Sequence, residues 1–350
     1  DIARNKGRTI MGIVGVIGCT MLIVCAFGML DTMNSYLDWQ FDDLYKFKYK
    51  LTLEDDYTNE QYDKIINEYG NQTSQTLGIE IKKSDDSKEA NSITINDAKE
   101  VLKTTGHKKE IIELKDGGVY VTEKLANKLN LNVDDEITWH VFGNDKWHTT
   151  KIVGLNRDPQ SQSLTMTRKY AEELGLTYKA DSVYTNYDLS NTIEIEGVKT
   201  IQGIETLKQG MQSMLQTMKM MIVILILVSA ILGFVIIYNL GILSFSEKQY
   251  QFATLKVLGF EDKKIRNIFI KQNNWITIIS IILGLPLGYA LVEYLFQVAI
   301  EEHYDFNAYI KPLTYIISAV FTFVVSYIVS IYVSKKIKNI DMVSSLKGNE

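Results

Sequence analysis

Two cysteines, three prolines and four histidines are all that this 350-residue sequence holds of those types. Cys19 and Cys25 lie in one apolar run, so no disulfide staples the polar part of the chain. They read as small polarizable residues packed in a membrane helix. The histidines are scattered and form no Ser/His/Asp or Cys/His set, which removes the common hydrolase constellations. His140 and His148 flank one expected hairpin beside Trp139 and Trp147, but a metal site there lacks a third ligand at recognisable spacing. A Gly-x-x-x-x-Gly-Lys-Ser/Thr phosphate loop is missing too, so the chain is not expected to hydrolyse ATP, and no cofactor is implied.

Charge is absent from four long apolar stretches: Ile10–Leu30, Met220–Leu243, Trp275–Val292 and Pro312–Ser334. Each has roughly 18 or more residues, enough at about 1.5 Å per residue to cross a ~30 Å hydrocarbon core. Ion- or proton-coupled transport places ionisable groups at depth, and here none is available, so the energy source lies elsewhere. The spacing is very unequal, with about 190 residues between the first two stretches and far fewer between the others. Segment Asp31–Met218 holds 22 basic against 32 acidic residues, a net of −10, and the remainder is net +5. An acidic domain of this kind gives no footprint for nucleic acid.

Basic residues set the orientation. Arg4, Lys6 and Arg8 precede the first stretch, Lys248, Lys256, Lys263, Lys264, Arg266 and Lys271 lie between the second and third, and Lys335, Lys336 and Lys338 follow the fourth. Glu301, Glu302 and Asp305 occupy the loop between the third and fourth. Both ends and the middle loop are therefore expected in the cytoplasm. The opening Asp1-Ile2 reads as a fragment or as the C-terminal part of a longer polypeptide. Residues 1–30 compete as a signal peptide, but the run is long and no Ala-x-Ala site follows, so a retained helix is expected.

The expected order is a cytoplasmic tail and first membrane helix (1–30), an extracytoplasmic α/β domain on helical stalks (31–218), a second membrane helix (219–243), a cytoplasmic loop (244–274), a third membrane helix (275–298), a short outer loop (299–311), a fourth membrane helix (312–334) and a cytoplasmic tail (335–350). The fold class is thus an integral membrane α-helical protein with four transmembrane helices and a large mixed α/β domain between the first two. Membrane lipid is one implied partner.

Inside the 31–218 segment, Met33, Leu37, Phe41 and Leu44 continue the first helix as an amphipathic stalk. Phe47–Leu53 alternates as a strand, Thr58 caps a helix to Tyr69, and Ser84–Asn91 reads as a solvated turn. Val119–Val121 leads through Thr122, a cap, into a helix Glu123–Leu129. Asp134–Phe142 and Trp147–Leu155 form a hairpin about Gly143-Asn144-Asp145. A short helix is expected near Thr167–Leu174, and Gly203–Lys219 runs as a helix into the second span.

Small residues mark helix contacts. Ser280, Gly284 and Gly288 repeat every fourth residue, with Pro286 expected to kink that helix, and Ser229 and Gly233 share the spacing. Ser318, Thr322, Ser326, Ser330 and Ser334 form a longer row, read either as interhelical packing or as a polar lining for a solute path. In the middle loop Phe252, Leu255 and Leu258 make an apolar stripe, Gly259 suits a left-handed helix end, and Phe260 follows it. This helix can bind lipid headgroups or a cytoplasmic partner.

Ala253, Thr254, Leu255, Lys256, Val257, Leu258, Gly259 and Phe260 in this setting resemble the coupling loop of FtsX-like, MacB-type ABC transporter permeases. The run Gly117–Leu129 with the strand ending Ile152–Leu155 resembles the family's extracytoplasmic domain, and Ile340–Lys347 its C-terminal segment. The resemblance implies a partner ABC ATPase, dimeric and cytoplasmic, a second permease half or subunit, and ATP-driven mechanotransmission serving export or release of peptides, lipids, lipoproteins or antibiotics. It assigns ATPase coupling to Phe252, Ala253, Thr254, Leu255, Lys256, Leu258, Gly259 and Phe260. The family's common Arg-Glu pair just before this motif is replaced by Tyr250 and Gln251, which leaves packing to carry more of the interface. The rival readings are a membrane-anchored extracytoplasmic sensor or binding protein, a regulator of cell-wall hydrolases, and a membrane enzyme, the last without an assembled catalytic set.

Overall fold

A computed structural model describes residues 6–83, 86–97, 101–190, 194–299 and 304–339. Seven α-helices and eleven strands are assigned among them. The helices are α1 (Lys6–Leu37), α2 (Asn59–Tyr69), α3 (Glu123–Leu129), α4 (Arg168–Glu173), α5 (Ile204–Val257), α6 (Asp262–Ala299) and α7 (Pro312–Ser334). The strands are β1 (Tyr49–Leu53), β2 (Gln72–Lys82), β3 (Lys88–Asn96), β4 (Thr104–Thr105), β5 (Ile111–Ile112), β6 (Val119–Thr122), β7 (Glu136–Val141), β8 (His148–Asn156), β9 (Leu164–Thr167), β10 (Ser182–Thr185) and β11 (Val198–Gly203). Two compact units emerge. A helical unit takes Asp1–Met33, Gln216–Ala299 and Asn307–Glu350, and an α/β unit takes Asn34–Leu215 and Ile300–Phe306.

Among the described residues, four helical stretches are long and apolar enough to cross a membrane: Gly12–Leu44, Ile204–Val257, Asp262–Val298 and Pro312–Lys338. The last three contain the apolar stretches read from the sequence and the first overlaps its stretch from Gly12 to Leu30, and the α/β region lies between the first two. The chain is a multi-pass membrane protein. Most apolar side chains of α5 from Met220 to Val235 are exposed, as a helix in hydrocarbon requires rather than one in water.

The α/β unit is a closed barrel with a sheet extension. Strand β2 pairs antiparallel with β3 over Ser74–Lys82, and its end, Ile79–Lys82, also pairs with Val141–Thr138 of β7. The ring therefore runs β2-β3-β9-β6-β8-β7 and back to β2, with β3–β9 and β6–β8 parallel. Closure leaves these strands no free edge at that seam. Successive strand side chains point to opposite faces, and the inward set is Ile79, Ile81, Ile93, Ile95, Val119, Val121, Ile137, Trp139, Ile152, Leu164 and Met166. Leu125 and Ala126 of α3 and Ala171 of α4 join this core. Strands β10, β1 and β11 extend the sheet from the start of β2, and α2 packs Ile65 against Leu51, Leu53 and Val183.

Local signals account for several elements. Thr58 and Gln61 form a reciprocal capping box at α2, with Gln61 N–H donating to Thr58 Oγ1 at 3.2 Å and Thr58 N–H to Gln61 Oε1 at 2.8 Å. Thr167 Oγ1 accepts from Tyr170 N–H at the start of α4. Two sequence expectations need correction. Thr122 stands at the N-cap position of α3 but makes no cap hydrogen bond among the described residues, because its side chain is turned into the buried end of β6. Ser84–Asn91 is not one turn: β3 starts at Lys88, and Lys88–Asn91 pair with Lys82–Ile79. Pro286 lies inside α6, where it lacks the one N–H that would serve the Ile282 carbonyl. Met33, Leu37, Phe41 and Leu44 are all buried, as the stalk stripe requires, although Asp38–Leu44 winds as a π-helix. Segment 340–347 lies outside the described residues.

His140 and His148 sit on opposite faces of the β7–β8 hairpin. His148 is buried, stacked on Trp139 at 5.1 Å, and burial lowers its pKa. His140 faces outward, touches Trp147 and bonds Glu80 Oε2 at 2.8 Å. Two rings on opposite faces do not converge on one ion.

Candidate functional site: the α5–α6 turn and its supporting bundle

Helix α5 ends in a hydrogen-bonded stop. Gly259 N–H donates to Lys256 O and Phe260 N–H to Leu255 O, both at 3.0 Å, the paired bonds of a Schellman motif. Gly259 has φ +85°, a region that penalises any Cβ. Asp262 then opens α6 with its carboxylate near the helix N-terminus and 3.1 Å from Lys256 Nζ. The same ammonium donates to the Lys338 carbonyl, which ties the turn to the residues after α7. Arg266 Nε adds a bond to Ser334 Oγ at 3.4 Å.

The residues singled out from the sequence divide into two sets here. Phe252 and Ala253 are buried, in a cluster with Ile237, Phe245, Ile265, Phe269, Val329, Val333 and Ile337. Phe252 meets Phe269 edge-on at 5.9 Å, and Phe245 meets Phe269 edge-on at 6.4 Å. Leu255 is half-buried against the same cluster. Thr254 faces solvent, and its hydroxyl donates to the Tyr250 carbonyl one turn back. By contrast Leu258 is 68% exposed, Val257 61% and Phe260 45%. The single apolar stripe expected through Phe252, Leu255 and Leu258 therefore splits, with its first half holding the bundle and its last part open. Val257 and Tyr250, which the stripe did not include, are exposed beside Leu258. Their exposure follows from α5 running as one helix from the membrane span, so that Ile237, Phe245 and Phe252 share the inward face at seven- and eight-residue spacing.

Small residues hold the bundle. A Cβ on Gly284 would meet Thr20 Cβ at 2.7 Å, and one on Gly288 would meet Val24 Cβ at 2.5 Å, so α6 lies directly on α1 at two points one turn apart. Ser280 is fully buried, and its hydroxyl donates to Ile276 O. Cys19 is buried against Gly233 of α5, with Sγ 3.7 Å from its carbonyl, and Cys25 is buried as well. The Ser/Thr row of α7 faces α6. Thr277 Oγ1 and Ser326 Oγ are 2.6 Å apart, and Asn273 Nδ2 donates to Ser330 Oγ at 3.3 Å. All five row residues are buried, which is the packing alternative rather than an open lining. At the other end, Asp31 accepts from Lys311 N–H and Thr314 Oγ1 at the start of α7.

Residues 223–342 match the family model described as FtsX-like permease C-terminal, a range that takes in α5 from Val223 onward, the turn, α6 and α7. That match covers about a third of the chain and is consistent with an FtsX/MacB-type permease. No curated protein matches the chain.

Proposed function

We propose, for a chain that carries an FtsX-like permease C-terminal domain, that the α5–α6 turn docks on a separate cytoplasmic ABC ATPase and passes its ATP-driven motion along α5 into the α/β unit. The observation that carries this reading is α5 itself: 54 residues of unbroken helix, from Ile204 beside β11 to Val257 at the turn. A helix of that length displaces at one end what is displaced at the other, provided its interior does not break, and within its membrane-spanning part Ser229, Gly233 and Gly241 are buried against packed neighbours instead of opening a hinge.

Charge orients the molecule in this reading. The basic turn and both basic ends face the cytoplasm, and the acidic α/β unit lies outside. ATP hydrolysis belongs to the partner, and a second permease copy or half completes the complex. The docking surface is Tyr250, Val257, Leu258 and Phe260, rimmed by the exposed Lys263 and Lys264. Phe252 and Ala253 support that surface from within, and Gly259 shapes it. Tyr250 and Gln251, in place of the charged pair frequent in the family, fit an interface whose centre is apolar. Cargo is expected from the family's range of peptides, lipids, lipoproteins and antibiotics.

Affinity purification of the tagged chain from its native host tests the reading. An ABC ATPase should co-purify, and Leu258→Asp or Phe260→Asp should release it while the permease still elutes as a folded protein. Full ATPase retention in both variants would overturn the docking assignment.

A further inference from the structure

Within the α/β unit, Asp305 carries one of the most enclosed ion pairs in the molecule. Arg157 Nε donates to Asp305 Oδ2 at 2.8 Å and Nη2 to Asp305 Oδ1 at 2.6 Å, a two-pronged contact. The two side chains are 7% and 10% exposed. The guanidinium also lies 5.5 Å from the Trp39 ring, and Glu123 Oε2 is 3.7 Å from its Nε. Around it, Asp305 N–H donates to the Pro159 carbonyl, Phe306 stacks on Tyr36 at 4.2 Å, and Lys124 Nζ donates to the Tyr304 carbonyl. Tyr36 in turn donates its hydroxyl to the same Pro159 carbonyl at 3.1 Å.

The position of these residues in the chain gives the contact its meaning. Tyr304, Asp305 and Phe306 belong to the connection between α6 and α7, yet they pack with the α/β unit. Arg157 follows β8 directly, its N–H donates to Thr105 O, and its carbonyl accepts from Thr105 Oγ1. Asp305 of the α6–α7 connection is thus fastened to the residue that follows β8, a strand of the closed ring. A connection serving merely to join two helices needs no buried bidentate pair, whose desolvation is costly unless geometry and extra hydrogen bonds repay it.

We propose that the Arg157–Asp305 clasp is a second mechanical input to the α/β unit, by which movement of α6 and α7 is imposed on the barrel at β8, in addition to the path through α5. Arg157 and Asp305 act as positioning residues in this scheme. The inference rests on the ATP-driven reading above and adds the route by which α6 and α7 take part.

Two variants test it in the full chain purified with its co-purifying ATPase. Asp305→Asn leaves Arg157 with a weakened partner, and the neutral double variant R157M/D305L removes the clasp without leaving a buried lone charge. Hydrogen exchange at the Asp305 and Arg157 amides should speed up by about tenfold or more in both. Nitroxide labels at Val133→Cys and Tyr187→Cys, both exposed sites in the α/β unit, report its shape on adding ATP, the native cysteines being buried. The wild type should show an ATP-dependent change in label distance, and R157M/D305L should lose it while ATP turnover continues. Unchanged amide exchange in both variants, or a full ATP-dependent change in folded R157M/D305L, would overturn the clasp. A wild type with no ATP-dependent change would instead refute the ATP-driven reading, and amide exchange would still decide the clasp.

Discussion

Gly288 of α6 lies so close to Val24 of α1 that a Cβ on the glycine would stand 2.5 Å from the valine Cβ. One turn away Gly284 meets Thr20 in the same manner. Both contacts are with β-branched side chains in a helix, which have little rotamer freedom to retreat.

Substituting Gly288 by Val should therefore force the two helices apart. The expected cost is about 1–3 kcal/mol, the range for overpacking a well-filled interior. Thermal unfolding of the detergent-solubilised chain checks this, with Gly12→Ala as the control, since nothing stands within 4 Å of a Cβ at that position. Equal melting temperatures for Gly288→Val and the control would show that α1 and α6 do not pack there.

The Thr277–Ser326 bond predicts a smaller effect. Interhelical hydrogen bonds in membranes average roughly 0.6 kcal/mol, because the separated helices find other partners. Thr277 Oγ1 also bonds Asn273 O one turn back, so Thr277→Val should cost well under the glycine substitution. The same unfolding assay ranks the two, and a larger loss for Thr277→Val would contradict the packing hierarchy.

Barrel closure at β2–β7 should depend on pH. Glu80 and His140 are register partners across that seam. The hydrogen bond between them raises the His140 pKa above its ordinary value near 6.5, and that bond, then Lys88, lowers Glu80 below its ordinary 4.5. A raised histidine stabilises fully below its unfolded pKa and loses that contribution as pH rises through the folded one. A lowered carboxylate stabilises fully above its unfolded pKa and loses it as pH falls through the folded one. The pair thus contributes most between about pH 4.5 and 6.5. Melting temperature should fall as pH is raised beyond that window, and Glu80→Gln should flatten the fall. An identical pH slope in Glu80→Gln would refute the assignment.

Thr58→Ala should open the first turn of α2. Losing an N-cap costs about 1 kcal/mol, which corresponds to roughly fivefold faster exchange at the Gln61 amide if that turn opens locally. An unchanged rate would mean that packing of Ile65, not the capping box, limits opening there.

Elements with a local chemical signature were legible from residues alone. Thr58 with Gln61, Thr167 before α4, Gly259 with Phe260, and the turn at Gly143–Asp145 each settle their own conformation within a few residues. The four spans were legible because hydrocarbon demands long runs without charge. Strand β2 was not, since Gln72, Thr73, Ser74 and Gln75 are buried polar residues in a strand, held by partners distant in sequence such as Tyr178 and Tyr184. Closure between Glu80 and His140 depends on register across 60 residues, which alternation does not specify. The Arg157–Asp305 contact spans 148 residues with no flanking pattern. At the turn, the residues near Leu258 were found, but their division into buried and open sets was not. The inward face of α5 is decided by α6 and α7 rather than by the stripe itself.

Photo-cross-linking from single sites tests the central claim most directly. A photoreactive phenylalanine analogue at Leu258 should join the chain to its co-purifying ABC ATPase, while the same group at Phe252, enclosed by Phe245 and Phe269, should cross-link within the permease. Cross-linking to the ATPase from position 252 but not from 258 would contradict the account.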